Sequence, residues 1–263
     1  KNPLAMRANA TRLARLISAR DIDLVHARSR APAWSALWAA RRTGTPFVTT
    51  YHGTYNAGSA PKRLYNSVMA RGDRVIANSG FIRDHLLAEH RIDPQRVTVI
   101  PRGVDLVHFD PAAIAPERVA AARARWNAAP NERVVLLPAR ITPWKGQALA
   151  IEAIARLSTA SRLVFAGETK PGSGFGAQLG AQAQAAGVEL SQPGHEADMP
   201  AALLAADVVI NPSLEPEAFG RTAAEALAMG RPVIVADHGG AREVVEPGLT
   251  GWRVAPGDAA ALA

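Results

Sequence analysis

The sequence predicts an α/β protein built from two domains, each a doubly wound parallel sheet, and three observations carry that prediction. Short apolar runs rich in Val, Ile and Leu recur along the chain, each too short to be a helix. Between them lie longer Ala-rich segments of helical character. Strands that read as continuous apolar runs and alternate with helices belong to parallel sheets covered on both faces. Finally, Pro111, Pro116 and Pro130 punctuate the stretch Asp110–Asn131, which divides the strand–helix pattern into two halves.

In the first half the β-prone runs are Leu24–Ala27, Phe47–Tyr51, Arg74–Ala77 and Val97–Ile100. Helical segments Pro32–Arg42, Pro61–Ala70 and Gly80–His90 separate them. Across the break, Glu117–Trp126 reads as a helix. The second half has strands Val134–Pro138, Leu163–Ala166, Val208–Ile210 and Pro232–Ala236, with helices Ala148–Leu157, Met199–Ala205 and Arg221–Met229. The glycine-rich stretch Gly167–Gly176 reads as a flexible loop. Domains of residues 1–115 and 116–263 follow, and ligands of such sheets bind at the carboxyl ends of the strands.

At 263 residues, 48% hydrophobic and 20% charged, the chain is long and apolar enough for a buried core. It has no cysteine, which excludes disulfides and Cys-based metal sites and suits a reducing cytoplasm. No apolar run approaches the ~18 residues of a membrane span. The net charge of +7 is uneven, because residues 1–110 hold 17 Lys/Arg against 8 Asp/Glu. A basic half suits an anionic lipid surface or anionic acceptor, or simply reflects an arginine-rich composition. Nucleic acid is not expected, since no aromatic residues interleave with the basic ones to stack bases.

The most informative segment is Asn211–Gly230, N-P-S-L-E-P-E-A-F-G-R-T-A-A-E-A-L-A-M-G. A strand ends, a Pro/Glu loop follows, and a helix begins near Gly220. Glu217 lies in the loop and Glu225 eight residues on in the helix, a spacing of up to about 12 Å. Two acceptors so placed suit the two ends of an elongated ligand, while amides at the helix start (Gly220, Arg221, Thr222) suit an anionic middle. Taken alone, the same string also describes solvated glutamates on a helix. Glu215 is a second candidate for the loop position, but the eight-residue offset favours Glu217.

Arg140 and Lys145 occupy the loop leaving the Val134–Pro138 strand, where a diphosphate would be expected; the strand–loop–helix context favours that role over two plain surface cations. His52 ends a strand in Y-H-G, either facing a ligand or as a satisfied core histidine. Gly239 and Gly240 precede a helical segment and offer bare amides, and Gly103 reads as a turn glycine. Asp21 and Asp23 form a D-x-D string that brackets a turn, so no metal site is assigned there.

Together these pieces resemble the family 4 retaining glycosyltransferases (glycosyl transferases group 1) of the GT-B fold. The matching motifs, in order, are T-Y-H-G-T-Y-N from Thr50, V-I-A-N-S-G-F-I-R-D-H-L from Val75 and V-I-P-R-G-V-D-L-V-H-F-D-P from Val99. P-A-R-I-T-P-W-K-G from Pro138 comes next, and then the E-x7-E segment, R-P-V-I-V-A and H-G-G-A-R-E-V-V. The resemblance implies two Rossmann-like domains facing a cleft, the first incomplete because both ends of the chain read as cut. It implies that Glu225 holds ribose hydroxyls, Glu217 the transferred sugar, and Arg140 and Lys145 the donor diphosphate. His52 would lie near the sugar and acceptor, Ser79 and Arg83 near the phosphates, with Gly103, Gly239 and Gly240 lining the donor. Ala218 stands where relatives often have Pro, and Arg102 where many carry Asn.

What the resemblance implies is transfer with retention, from a nucleoside-diphosphate-sugar to a carbohydrate or lipid-linked acceptor, with no further cofactor and no required metal. Cell-surface polysaccharide or lipopolysaccharide synthesis, in the cytoplasm or peripherally at the inner face of an anionic membrane, is the setting it suggests. The competing expectations are a non-catalytic nucleotide-sugar or glycan-binding module, or another GT-B enzyme such as a sugar epimerase.

Overall fold

The structure, a computed structural model, describes residues 2–55 and 57–263. Lys1 and Asn56, the last residue of the Y-H-G motif, lie outside them. The chain forms two compact units, Lys1–Arg102 and Gly103–Ala263, each organised around its own parallel sheet.

The first unit runs α1 (Pro3–Ala19), β1 (Val25–Ala27), α2 (Arg30–Thr43), β2 (Phe47–Tyr51), α3 (Ala60–Asn66), β3 (Arg74–Ala77), α4 (Gly80–Glu89) and β4 (Val97–Val99). Its four strands pair in sequence order, all parallel. Helix α1 had no counterpart in the sequence reading. Asn2 caps it by accepting from the Leu4 amide, and Ala10, Ala14 and Ile17 give it a buried stripe at helical spacing.

The second unit runs α5 (Pro116–Arg125), β5 (Arg133–Leu137), α6 (Gln147–Ile154), β6 (Ser161–Ala166), α7 (Phe175–Ala185), β7 (Glu189–Gly194) and α8 (Met199–Ala205). It continues with β8 (Val208–Asn211), α9 (Arg221–Ala228), β9 (Val233–Ala236), β10 (Gly251–Val254) and α10 (Ala259–Leu262). The strand order is β10-β9-β8-β5-β6-β7, again all parallel. Successive strands step away from β5 in one direction, then return to its other side. The topological switch point therefore lies between β5 and β8, where open α/β sheets bind ligands.

Alternation along these strands explains why the second unit's sheet is packed on both faces. Val134, Leu136, Val164, Val209, Val233 and Val235 face one core, with Trp126 and residues of α5, α8 and α9. Their neighbours Leu137, Leu163, Phe165 and Ile210 face the other, with residues of α6, α7 and α10. A strand buried on both faces needs apolar side chains at every position, hence the unbroken apolar runs in the sequence. Strands β7 (E-L-S-Q-P-G) and β10 (G-W-R-V) escaped the sequence reading because neither holds an unbroken apolar run, which an edge position permits. Edge strands tolerate polar residues, and β7 even holds Pro193.

One further expectation changes. The Gly167–Gly176 stretch is not all loop: α7 starts at Phe175, and Gly167 packs so tightly that a Cβ there would lie 2.0 Å from the Ala139 carbonyl oxygen. The compact units divide between Arg102 and Gly103, and Phe109 and Ile114 pack against the second unit's core. Among the described residues, no helix is long and apolar enough to cross a membrane.

Candidate active site

Three loops at the carboxyl ends of β5, β8 and β9 build the site. The β5 loop turns at Gly146, in the left-handed region at φ +79°, so that α6 can begin at once. A Cβ on Gly146 would meet the Pro212 carbonyl oxygen at 2.2 Å, so only glycine lets the β5 and β8 loops touch. The Leu214 amide, donating to the Trp144 carbonyl at 2.7 Å, fastens the two loops together. Gln147, fully buried, donates from Nε2 to the Arg140 carbonyl at 3.0 Å and so holds the first part of the β5 loop.

Lys145 and Glu217 meet across the switch point. Lys145 Nζ lies 2.6 Å from Glu217 Oε1, with both side chains largely shielded from solvent. The ammonium also sits 4.2 Å from the centre of the Trp144 ring, a cation–π contact. One of the three ammonium hydrogens is thus committed to Glu217. Arg140 is exposed, and its guanidinium has no partner among the described residues. Glu215 is exposed too, whereas Glu217 is partly buried and paired, so the geometry separates the two loop glutamates.

The β9 loop supports Glu217 from behind. The Gly240 amide donates to the Glu217 carbonyl at 2.7 Å, and a Cβ on Gly239 would lie 2.6 Å from that same oxygen. This corrects the expectation of two bare amides before a helix. Gly240 is already bonded, and the following segment, Ala241–Glu243, is a single 3-10 turn. The pair's glycine character serves close packing of loop on loop. From the same loop, His238 Nε2–H donates to the Ser213 carbonyl at 2.8 Å.

Helix α9 starts at Gly220, whose φ of +90° and contact with Ala241 again require glycine. Arg221 and Thr222 form its first turn, where amides have no intrahelical acceptor. Arg221 lies outward and pairs with Glu225 at 3.3 Å, one turn along. Burial pushes the Glu225 carboxyl above the ordinary range, and the charges of Arg221 and His108 pull it partly back.

The remaining candidates divide between the units. In the first, His52 follows β2 and donates from Nδ1 to the Thr50 carbonyl at 3.1 Å, which leaves Nε2 as the ring nitrogen turned to other partners. Its neighbour Thr50 is 2.7 Å from His26 Nε2. Ser79 is buried and caps α4, its hydroxyl accepting from the Ile82 amide at 3.0 Å. Arg83 is exposed and paired with its neighbour Asp84 at 2.7 Å. Gly103, in the second unit, has a negative φ and open space where a Cβ would stand, so no turn requires glycine there. Asp21 sits in a turn at φ +47°, as the bracketing reading of D-x-D expects.

Sequence reasoning quoted Asn211, Ser213, Trp144 and His238 inside its motifs without giving them roles. Their proximity to Glu217 depends on loops meeting across the sheet, which spacing along the chain does not encode.

Comparison with known proteins matches this architecture. Residues 1–108 match the family model described as Glycosyltransferase Family 4, and residues 119–263 the model described as Glycosyl transferases group 1. The chain is 36% identical over 230 residues to a D-inositol 3-phosphate glycosyltransferase of Segniliparus rotundus, covering 80% of this chain and 50% of that protein. It thus spans about half the length of the curated relatives it matches. A crystal structure of a glycosyltransferase from Rickettsia africae superposes with a TM-score of 0.91 at 36% identity, covering all of this chain and 70% of that one. Anabaena HepE, solved in complex with UDP and glucose, superposes at 0.85 with 27% identity, covering 96% of this chain and 69% of that one.

Proposed function

The chain belongs to the glycosyl transferases group 1 family, and from that premise we propose that it binds a nucleoside-diphosphate-sugar and transfers the sugar with retention to a hydroxyl acceptor. The observation that carries the proposal is the Lys145–Glu217 pair spanning the β5/β8 switch point, a cation and a hydroxyl acceptor side by side.

On this reading the diphosphate lies at the start of α9, where the helix dipole and the amides of Arg221 and Thr222 favour an anion. Arg140, whose guanidinium is uncommitted, and the spare hydrogens of Lys145 offset the charge that grows as the bond to phosphate breaks. Glu225 accepts from the ribose hydroxyls, and Glu217 from a hydroxyl of the sugar. The bond from the anomeric carbon to the phosphate oxygen breaks while the acceptor oxygen bonds on the same face. The acceptor's proton passes to the departing diphosphate. In the first unit, His52 Nε2 accepts a hydrogen bond from an acceptor hydroxyl. No metal or cofactor is assigned.

UDP is the first nucleotide to test, because HepE was solved with it. A carbohydrate or lipid-linked acceptor in cell-surface polysaccharide or lipopolysaccharide assembly is the proposed setting. The relatives' inositol 3-phosphate name, with the basic first half of this chain, makes a phosphorylated polyol the second acceptor class.

Proton NMR of UDP-glucose incubated with the protein tests the reading. Slow release of UDP is expected even without acceptor, reduced about 10²- to 10³-fold in Lys145→Ala, as for loss of a charge-stabilising group. UDP bound but never released from UDP-glucose, by the wild type with acceptors present, would instead support the binding-module alternative.

A further inference from the structure

The Glu217 carboxylate is held asymmetrically. Lys145 Nζ at 2.6 Å and Ser213 Oγ at 2.5 Å both contact Oε1, while Oε2 accepts no hydrogen bond among the described residues. The same Ser213 hydroxyl lies 2.8 Å from Asn211 Oδ1. A serine hydroxyl has one hydrogen and cannot donate to both oxygens at once. Meanwhile Asn211 Nδ2 is buried with no partner.

One change removes the conflict. Amide oxygen and nitrogen are assigned from the hydrogen-bond network. Turning the Asn211 amide half a revolution puts Nδ2 against Ser213 Oγ, so that Asn211 donates to Ser213 and Ser213 donates to Glu217. What is then left unpaired is an acceptor, which buried sites tolerate better than a donor. Asn211 and Ser213 are both tied to the scaffold: Asn211 closes β8, Ser213 is 2% exposed, and His238 holds the Ser213 carbonyl.

We propose that Ser213 is a positioning residue for the donor sugar: its hydroxyl, oriented by Asn211, locks Glu217 so that Oε2 alone is left to accept a sugar hydroxyl. The proposal rests on the donor reading above and deepens it. Without the serine donor, nothing fixes the plane of the carboxylate about its last bond, and at intermediate angles its free lone pairs turn away from the sugar. Lys145, a single mobile ammonium, would follow it rather than fix it. The nucleotide is held chiefly by α9 and Arg140, and Lys145 meets the diphosphate with hydrogens it does not spend on Glu217, so the effect should fall mainly on the sugar and little on UDP.

Calorimetric titration of UDP and UDP-glucose into the wild type, Ser213→Ala, Ser213→Cys and Ser213→Thr tests this. Cysteine keeps the shape and loses the strong donor, while threonine keeps the hydroxyl. UDP affinity should stay within about twofold throughout, which also reports that each variant is folded. UDP-glucose affinity should fall about tenfold in the alanine and cysteine variants, the loss of one hydrogen bond to a charged group, and return in threonine. A second readout needs no ligand. The proton–nitrogen NMR signal of the Lys145 ammonium, sheltered by a fixed carboxylate, should broaden in the first two variants and persist in the third.

Alanine and cysteine variants that match the wild type with UDP-glucose and keep a sharp Lys145 signal would overturn the positioning role and leave the donor reading intact. An equal loss of UDP and UDP-glucose affinity would make Ser213 a support of the loop as a whole, and overturn it too. A wild type that binds neither ligand would remove the donor reading, and this proposal with it.

Discussion

Glu225 ties nucleotide binding to pH. Burial raises its carboxyl, so the folded protein holds that proton to higher pH than the unfolded chain does. Between the two pKa values the folded state binds more protons, so stability falls as pH rises through that window. Glu225→Gln is therefore expected to raise the midpoint of thermal unfolding at pH 7 and to leave it nearly unchanged at about pH 3, below the pKa of both states. Nucleotide binding should move oppositely, strengthening as the carboxylate forms, and an unchanged affinity from pH 5 to 8 would count against its ribose contact. The placement of Glu217 in a loop and Glu225 in the following helix was legible in the sequence, because an eight-residue offset across a loop–helix junction survives in one dimension. The partners of Glu217 were not: Lys145 is 72 residues away, and only the sheet's strand order joins them.

At the scale of elements, glycines decide how closely the site loops approach. Gly146→Ala would force a side chain into the left-handed region, at about 1–2 kcal/mol, and would press its Cβ onto Pro212. The variant should lose at least that much stability in urea and should bind UDP-glucose more weakly, since Lys145 precedes the displaced turn. A second test concerns the core that carries α5. Trp126 is fully buried, and Trp126→Ala should cost about 3–5 kcal/mol in the same assay. Element prediction succeeded for central strands, whose two buried faces demand unbroken apolar runs. It failed for β7 and β10, edge strands whose polar, proline and glycine residues break any apolar run, although it found the edges β1 and β4, and it failed for α1, whose three buried residues make a weak stripe among arginines.

At the scale of the molecule, charge is unevenly divided between the units. The helices α1, α2 and α3 carry Arg7, Arg12, Arg15, Arg30, Arg41, Arg42, Lys62 and Arg63 and contain no acidic residue. If an anionic bilayer is a partner, cosedimentation with phosphatidylglycerol vesicles should be strong at low salt and fall steeply by 0.5 M. Each basic residue near such a surface adds about 1 kcal/mol, screened within a Debye length. Binding to neutral phosphatidylcholine vesicles alone would contradict that assignment. The two-unit architecture was readable from the repeated strand–helix pattern. The division at Arg102 was not, because Phe109 and Ile114 join the second core through tertiary packing alone.

The central claim is that the loops after β5 and β8, with α9, hold a nucleotide. Thermal unfolding of the protein with UDP, GDP or ADP, beside the Glu225→Ala variant, tests it most directly. At about 100 times its dissociation constant, one nucleotide should add roughly 2.7 kcal/mol to the wild type. That gain should largely vanish in the variant. No stabilisation of the wild type by any of the three, or an equal gain in Glu225→Ala, would contradict the account.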